Sequence, residues 1–338
     1  MRSKAFFING GAGRVICSIP ALERYAQESD DKDFIIVAEG GTDFYKGHPS
    51  LYERVYDNWH KNLFEDKLIH MDIETPEPYR IWEYYNQKCN LSQAFDIAIN
   101  NQGIRDLSKP SIKLSINEKL PARQVINEVK EKTKKDKIIV FQPFGRGTVV
   151  TQDGYVTDSS GRSFEAQHVI NIVKGLQEKG FAVLIMSEFG IDFQKHGCKD
   201  PVAMPQNVSV RTWAAIINEA DLFVGCDSVG QHIAYSLEKP AVIITGSTYK
   251  ENVSYPDCDY FNILDMGGDA RQYSPIRITV DEVADRRNEG IMVMNDDIEN
   301  HIIKNIISHY KKFVKNTVKK EDIKILNKND IEILSKND

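Results

Sequence analysis

Apolar residues fall in short β-branched runs that alternate with stretches of helical period. Lys4 to Asn9 is such a run. A loop of Gly10-Gly11-Ala12-Gly13 follows it, and then Val15, Ile16, Ile19, Leu22 and Tyr25 or Ala26 recur at the spacing of one helix face. This predicts a strand and a helix over about Arg14 to Gln27, with a second strand at Phe34 to Ala38 closing on Glu39-Gly40-Gly41. Strand, glycine loop, helix, strand is the opening of a Rossmann-like domain. Pro78 to Asn90 reads as a helix carrying Tyr79, Trp82, Tyr84 and Tyr85, and Phe95 to Asn100 as a strand. Val125 to Asp136 is rich in lysine and glutamate, a solvated helix or linker.

A second series starts at Lys137 to Phe141. Thr148 to Thr157, centred on Asp153-Gly154, has the pattern of a hairpin with a type I′ turn. A helix ended by Gly180 leads to a strand at Phe181 to Met186. A short strand at Val208 to Val210 precedes a helix opened by Thr212-Trp213. Leu222 to Gly225 and Ala241 to Thr245 are buried-strand runs flanking a short helix with Ile233, Ala234 and Leu237 inward, ended by Pro240. Asn295 to Asp297 with Glu299 resembles a capping box and opens a helix reaching about Lys315. The two series predict two α/β domains. Their expected bounds are 1–120, a linker over 121–136, and 137–296. A helix over 297–318 and a polar tail over 319–338 follow, the tail holding an eight-residue duplication (Asp322 to Asn329, Asp330 to Asn337).

Composition narrows the class. The chain has 338 residues, 41% hydrophobic and 27% charged, with a net charge of −6 that gives no reason to expect nucleic-acid binding. No run approaches the roughly eighteen apolar residues of a membrane span, and the short apolar stretch near Met1 is unlike a signal peptide, so a cytosolic location is expected. Five scattered cysteines without a Cys-x-x-Cys pair argue against a disulfide framework and a structural zinc site. The basic end of the last helix (Lys311, Lys312, Lys315, Lys319, Lys320) suits a helix C-terminus, a peripheral membrane contact being the alternative.

The chemistry concentrates at strand ends. Asp227 and Ser228 are two N-cap residue types placed just after a buried strand, at the edge of an α/β sheet where ligands bind. Backbone N–H groups of Ser228, Val229 and Gly230, backed by the helix dipole, suit a diphosphate. Arg146 lies between two glycines and can approach a ligand closely, and Arg162 follows Gly161 in the loop that leads into the next helix; a guanidinium forks onto phosphate oxygens well. Glu188, ending a strand, can accept from ribose hydroxyls. A dinucleotide fingerprint at Gly11-x-Gly13-x-x-Ile16 lacks its third small residue, which keeps a nicotinamide-dependent oxidoreductase only as a minor alternative.

Two segments carry a resemblance. Asp227-Ser228, His232, Ile233, Ala234, Leu237, Lys239-Pro240 and Gly246-Ser247-Thr248 resemble the nucleotide-sugar loop of the heptosyltransferase-like glycosyltransferases, glycosyltransferase family 9. That family usually reads Asp-Ser/Thr-Gly-x-x-His. Val229 takes the glycine's place here, and Gly230 follows one position late. Gly13 to Leu22, with Pro20-Ala21-Leu22, is similar to the family's opening Gly-Asp-Val/Ile-x-x-x-x-Pro-Ala-Leu. The resemblance implies a GT-B fold, two Rossmann-like domains about a cleft with the acceptor on the first, and a last helix that crosses back onto the first domain. It further implies inverting, metal-independent transfer from a nucleoside-diphosphate sugar, an ADP-linked heptose by analogy, without cofactor. The acceptor would be a glycan, a lipid-linked acceptor or a protein. His232 would orient the donor loop or touch phosphate, and Arg162 and Phe164 would take the cation and aromatic positions of the family's Lys/Arg-x-Trp-Pro pattern, without its proline, which makes Arg162 the best single side-chain phosphate contact.

The family's catalytic Asp is replaced by Arg14, which cannot act as a base. Arg14 is expected to face an anion, and Glu39 and Asp43 become the candidate bases. Tyr45, His48, Trp59 and His60 suit an acceptor pocket or loop packing. The missing Asp also supports another reading, an inactive nucleotide-sugar-binding homologue acting as a scaffold.

Overall fold

The computed structural model describes residues 2–151, 156–158, 160–267 and 295–313. The first half holds β1 (Lys4–Ile8), α1 (Ala12–Glu28), β2 (Ile35–Ala38), β3 (Val55–Asp57), β4 (Asp72–Glu74), α2 (Trp82–Tyr85) and α3 (Leu91–Asn100). Its sheet is parallel throughout, in the order β3-β2-β1-β4. The second half holds α4 (Ile116–Thr133), β5 (Lys137–Gln142), β6 (Thr148–Val150), β7 (Val156–Asp158), α5 (Ala166–Glu178), β8 (Phe181–Ile185), α6 (Val210–Glu219), β9 (Leu222–Cys226), α7 (Val229–Ser236), β10 (Ala241–Thr245), α8 (Lys250–Val253) and β11 (Phe261–Asp265). A further helix, α9, runs over 296–313.

The second sheet is also parallel, ordered β11-β10-β9-β5-β8. The chain steps from β5 to β8 on one side and then returns to β9 on the other. The order therefore reverses between β5 and β9, and the crevice beyond their carboxyl ends is where such sheets bind ligands. In the first sheet β2 and β4 flank β1 in the same way, so a second crevice opens past β1 and β4. Strands β8, β9 and β10 are buried along their whole length, as a sheet covered on both faces requires. One apolar cluster joins the halves, from Phe6 and Ile16 through Ile126 and Trp213 to Ile233 and Phe261. A second, with Ile170, Val173 and Ile306, covers the other face of the second sheet.

Buried polar clamps also cross between the halves. Arg211 of α6 donates to the backbone oxygen of Asp43 (2.7 Å), to that of Lys113, and to the Glu118 carboxylate. Hydrogen bonding to Arg211 holds Glu118 down at about 2. Asn252, with no exposed surface, donates to the carbonyls of Tyr84 (2.7 Å) and Cys89 (3.1 Å).

Several elements differ from expectation. Phe95 to Asn100 is not a strand but the end of α3. Asn90 and Gln93 form a reciprocal capping box (3.0 and 3.1 Å), and Leu91, Ala94, Phe95 and Ile99 share its buried face. Pro78 to Asn90 is broken into a 3-10 turn (Pro78–Arg80) and the single turn of α2, with Tyr84 buried and Trp82 exposed. Val208 to Val210 forms no strand, because the Ser209 hydroxyl caps α6 at Thr212 N–H (3.0 Å). Ser228, the N-cap residue of α7, makes no capping bond with its side chain.

Asn295 caps α9, but Glu299 turns instead to His168 Nδ1 (2.6 Å) and Asn171 (3.0 Å). This helix was expected on the first domain. Its described contacts lie in the second: Ile303 packs on Gly175, Tyr310 on Phe181, and His309 on the Tyr260 carbonyl. Strands β6 and β7 pair antiparallel as the hairpin predicts. Asp153-Gly154, Lys315, Lys319, Lys320 and the duplication lie outside the described residues.

Candidate functional site

The crevice of the second sheet is built from the ends of β5 and β9. Gln142, the last residue of β5, pairs in register with Gly225 of β9. Its amide reaches across: Nε2 donates to Ser228 Oγ (3.1 Å), and Oε1 accepts from Gly230 N–H (2.8 Å). Gln142 thus caps α7 from a neighbouring strand. A Cβ on Gly230 would stand 2.4 Å from Phe223 Cζ and 2.5 Å from Gln142 Oε1, so only glycine fits. The glycine displaced by one position is therefore explained by packing against Phe223.

Asp227 is buried and accepts from Gln231 Nε2 (2.9 Å). Arg162 spans the crevice floor: Nη1 donates to the Asp227 carbonyl (3.3 Å) and lies 3.8 Å from its carboxylate, while Nε donates to Ser160 Oγ (2.9 Å). Its side chain keeps 24% of its surface exposed.

Asp158 organises the loop that carries Arg162. Its carboxylate accepts from Ser160 N–H (2.8 Å) and from the hydroxyls of Ser160 and Ser163. Burial would raise this carboxyl, yet those bonds, with Arg162 nearby, leave it below its ordinary value. A Cβ on Gly147 would meet Asp158 Oδ1 at 2.6 Å, which fixes a glycine on the Arg146 loop. Phe164 points into the core against Phe141 and offers no stacking surface. Glu188 is exposed past the end of β8.

The start of α1 closes over this crevice. Arg146 Nη1 lies 3.1 Å from a Cβ placed on Gly11, and His232 Cδ2 3.2 Å from one on Gly13. His232 is buried, with Nδ1 2.8 Å from Tyr255 Oη and 3.4 Å from Cys17 Sγ of α1. Burial, with the Arg162 charge adding to it, lowers His232 to about 4, and burial pushes Cys17 up to about 12. His232 therefore serves the contact between halves as a neutral imidazole and does not open toward a ligand.

Arg14 also turns away from the second half. Its guanidinium lies 4.9 Å from the Tyr79 ring centre and 5.5 Å from that of Phe95, and Nη1 donates to Glu77 Oε1 (3.2 Å). Its Nε and Nη2 are buried among these rings without a hydrogen-bond acceptor among the described residues. The anion it meets is protein. Of the expected bases, Glu39 is exposed at the end of β2 and accepts from Gly10 N–H (2.5 Å), where Gly10 holds φ +91°. Asp43 is exposed, paired with Lys46 (3.3 Å). Tyr45 and His48 are buried inside the first half and Trp59 is exposed on it.

The structure thus brings Gly13, Arg146, Arg162, Asp227, Ser228, Val229, Gly230 and His232 to one crevice and its rim. Gln142 and Asp158 belong with them and were missed, and so was Glu77, which lies in the first half against Arg14. Gln142 could have been found as the polar residue ending a buried strand run, Ile138 to Phe141.

No protein-family model matches the chain, and no curated protein matches it. Solved structures do. A glycosyl transferase of family 9 from Veillonella parvula aligns with TM-score 0.66 at 12% identity, over 92% of this chain and 98% of that one. The fold is GT-B. ADP-heptose lipopolysaccharide heptosyltransferase II of Escherichia coli aligns with TM-score 0.59 at 10% identity, over 92% and 99%. The iron-containing dodecameric glycosyltransferase TibC of enterotoxigenic Escherichia coli gives 0.57 at 10%, over 91% and 76%. Among the described residues no helix is long and apolar enough to cross a membrane.

Proposed function

We propose that the protein is a glycosyltransferase that takes a sugar from a nucleoside-diphosphate sugar, with inversion and without a metal, for an acceptor hydroxyl. The observation carrying this is the convergence of Gln142, Arg162 and the Asp227 to Gly230 loop at the point where the second sheet reverses its strand order. In such a transfer the leaving diphosphate gains charge as the anomeric C–O bond breaks. Arg162 and the N–H groups starting α7 would stabilise that charge, and their positions are fixed beforehand by Asp158 and Gln142. Glu188, exposed past the end of β8, would accept from the ribose hydroxyls. The ADP-heptose donor named for the Escherichia coli relative favours an adenine nucleotide and a heptose.

A dinucleotide on the first half is disfavoured. The turn at Gly11–Gly13, which would cradle its pyrophosphate, is covered by Arg146 and His232. The alternative role, a nucleotide-sugar-binding scaffold, shares the crevice and differs only in turnover. Thermal unfolding with ADP, GDP, UDP, CDP, NAD and ADP-sugars tests the reading. A shift with one nucleoside diphosphate and its sugars supports it, and a shift with NAD alone overturns it. Release of nucleoside diphosphate from the bound sugar then separates the enzyme from the scaffold.

A further inference from the structure

The first half carries a concavity of its own, beside the end of β4 and the end of α3. Its volume is about 730 Å³, with Glu74, Thr75, Glu77, Asn101 and Gln102 among its lining and Ile81 and Ile97 as apolar surface. Mixed polar and apolar lining of this kind suits a sugar ring, which presents hydroxyl edges and C–H faces. Glu77 stands where this concavity meets α1. It follows β4 by three residues, and Arg14, which it holds, lies next in sequence to Gly13, the residue against His232 and Val229 of the donor loop.

The two oxygens of Glu77 are differently placed. Oε1 accepts from Arg14 Nη1 (3.2 Å) and from Tyr79 N–H (3.2 Å), which fixes the carboxylate. Among the described residues none bonds Oε2, and the side chain keeps 28% of its surface exposed. Arg14 in turn is held between Tyr79 and Phe95. One oxygen is anchored and the other is available, which is the arrangement a general base needs.

We infer that Glu77 is the general base of the transfer and that the concavity beside it receives the acceptor, a hydroxyl-bearing sugar; this rests on the glycosyltransferase reading above. The base comes from the loop after β4, and Arg14 is its positioning residue. In the step, the acceptor oxygen bonds to the anomeric carbon and its proton passes to Glu77 Oε2. The bond from that carbon to the β-phosphate oxygen breaks, and its electron pair leaves on the nucleoside diphosphate. Water in the concavity reacts in the same way, giving slow donor hydrolysis, so the base can be tested before the acceptor is identified.

The test uses the full chain and the ADP-, GDP- and UDP-hexoses and ADP-heptose. Donor binding is read by the shift in melting temperature, and hydrolysis by released nucleoside diphosphate. Glu77→Gln, which keeps an oxygen for Arg14 and Tyr79, is expected to bind donor as the wild type does and to hydrolyse it about a hundredfold more slowly. Formate is expected to restore Glu77→Ala at least tenfold, a rescue that a merely structural role would not give. Arg14→Lys is expected to slow hydrolysis without weakening donor binding. Hydrolysis by Glu77→Gln within threefold of wild type overturns the assignment, as does a loss confined to Glu39→Gln. Donor binding by a wild-type chain that releases no nucleoside diphosphate also overturns it. Failure of every nucleotide sugar to bind the wild type refutes instead the functional reading on which the assignment stands.

Discussion

Gly230→Ala perturbs the donor loop at its tightest contact. The added Cβ would stand 2.4 Å from Phe223 Cζ, 2.6 Å from Cε2 and 2.5 Å from Gln142 Oε1. Carbon atoms rest about 3.5–4.0 Å apart, so the overlap exceeds 1 Å. Phe223 is fully buried on β9, so relief requires the start of α7 to shift away from both Phe223 and Gln142. That shift breaks the Gln142 bonds to Gly230 N–H and Ser228 Oγ. Overpacking costs about 1–3 kcal/mol and an orphaned buried N–H about 1–3 kcal/mol, against a gain of about 1 kcal/mol from alanine in a helix. The net expectation is about 3 kcal/mol of lost stability together with weaker donor binding. The assay is the urea midpoint beside that of Gly190→Ala, whose Cβ would meet nothing within 4 Å. Equal midpoints for the two variants would refute the packing argument.

Three further outcomes follow from the clamps and the titrating groups. Arg211→Ala leaves two carbonyls without their donor and the Glu118 carboxylate with only its bonds from Ser115, and should cost about 3 kcal/mol in chemical unfolding, with Arg211→Lys recovering only part of it. Asn252→Ala removes two buried bonds between the halves and should cost about 2 kcal/mol, with faster amide exchange around Tyr84 and Cys89. His232, ordinarily near 6.5, is lowered to about 4 in the folded chain, so the unfolded chain binds the extra proton between those values. Its contribution is complete above about 6.5, falls as pH drops and is lost by about 4, roughly 3 kcal/mol in all. Subtracting the pH profile of His232→Gln from that of the wild type should isolate this slope.

Elements that form one unbroken apolar face were legible in the sequence. Lys4 to Ile8, α1 and the strands around Asp227 are of this kind, because burial on both sides of a parallel sheet leaves no polar interruption. Phe95 to Asn100 misled, since Phe95, Ile97 and Ile99 alternate as in a strand. The wider window shows helical spacing, and Asn90-Leu91-Ser92-Gln93 already spelled its cap. Strand β4, Asp-Ile-Glu at a sheet edge, carries almost no apolar signal, and Glu77 was overlooked with it. At the site, the Asp227 region was readable because the buried strand, Asp227, Ser228 and the start of the helix are adjacent in the chain. The partners that fix it are not: Gln142 lies 88 residues from Gly230, and Glu77 lies 63 from Arg14. No local pattern reveals that Arg14 faces Glu77 rather than a phosphate.

The central claim is that a nucleoside diphosphate binds the second half, at the reversal of its strand order. Amide hydrogen exchange of the full chain with and without the nucleoside diphosphate that raises its melting temperature tests this directly. The account predicts slowed exchange at residues 228–231, 145–147 and 160–163, abolished by Arg162→Ala. Protection confined to residues 10–14 and 39–41, with none at 228–231, would place the nucleotide on the first half and contradict it.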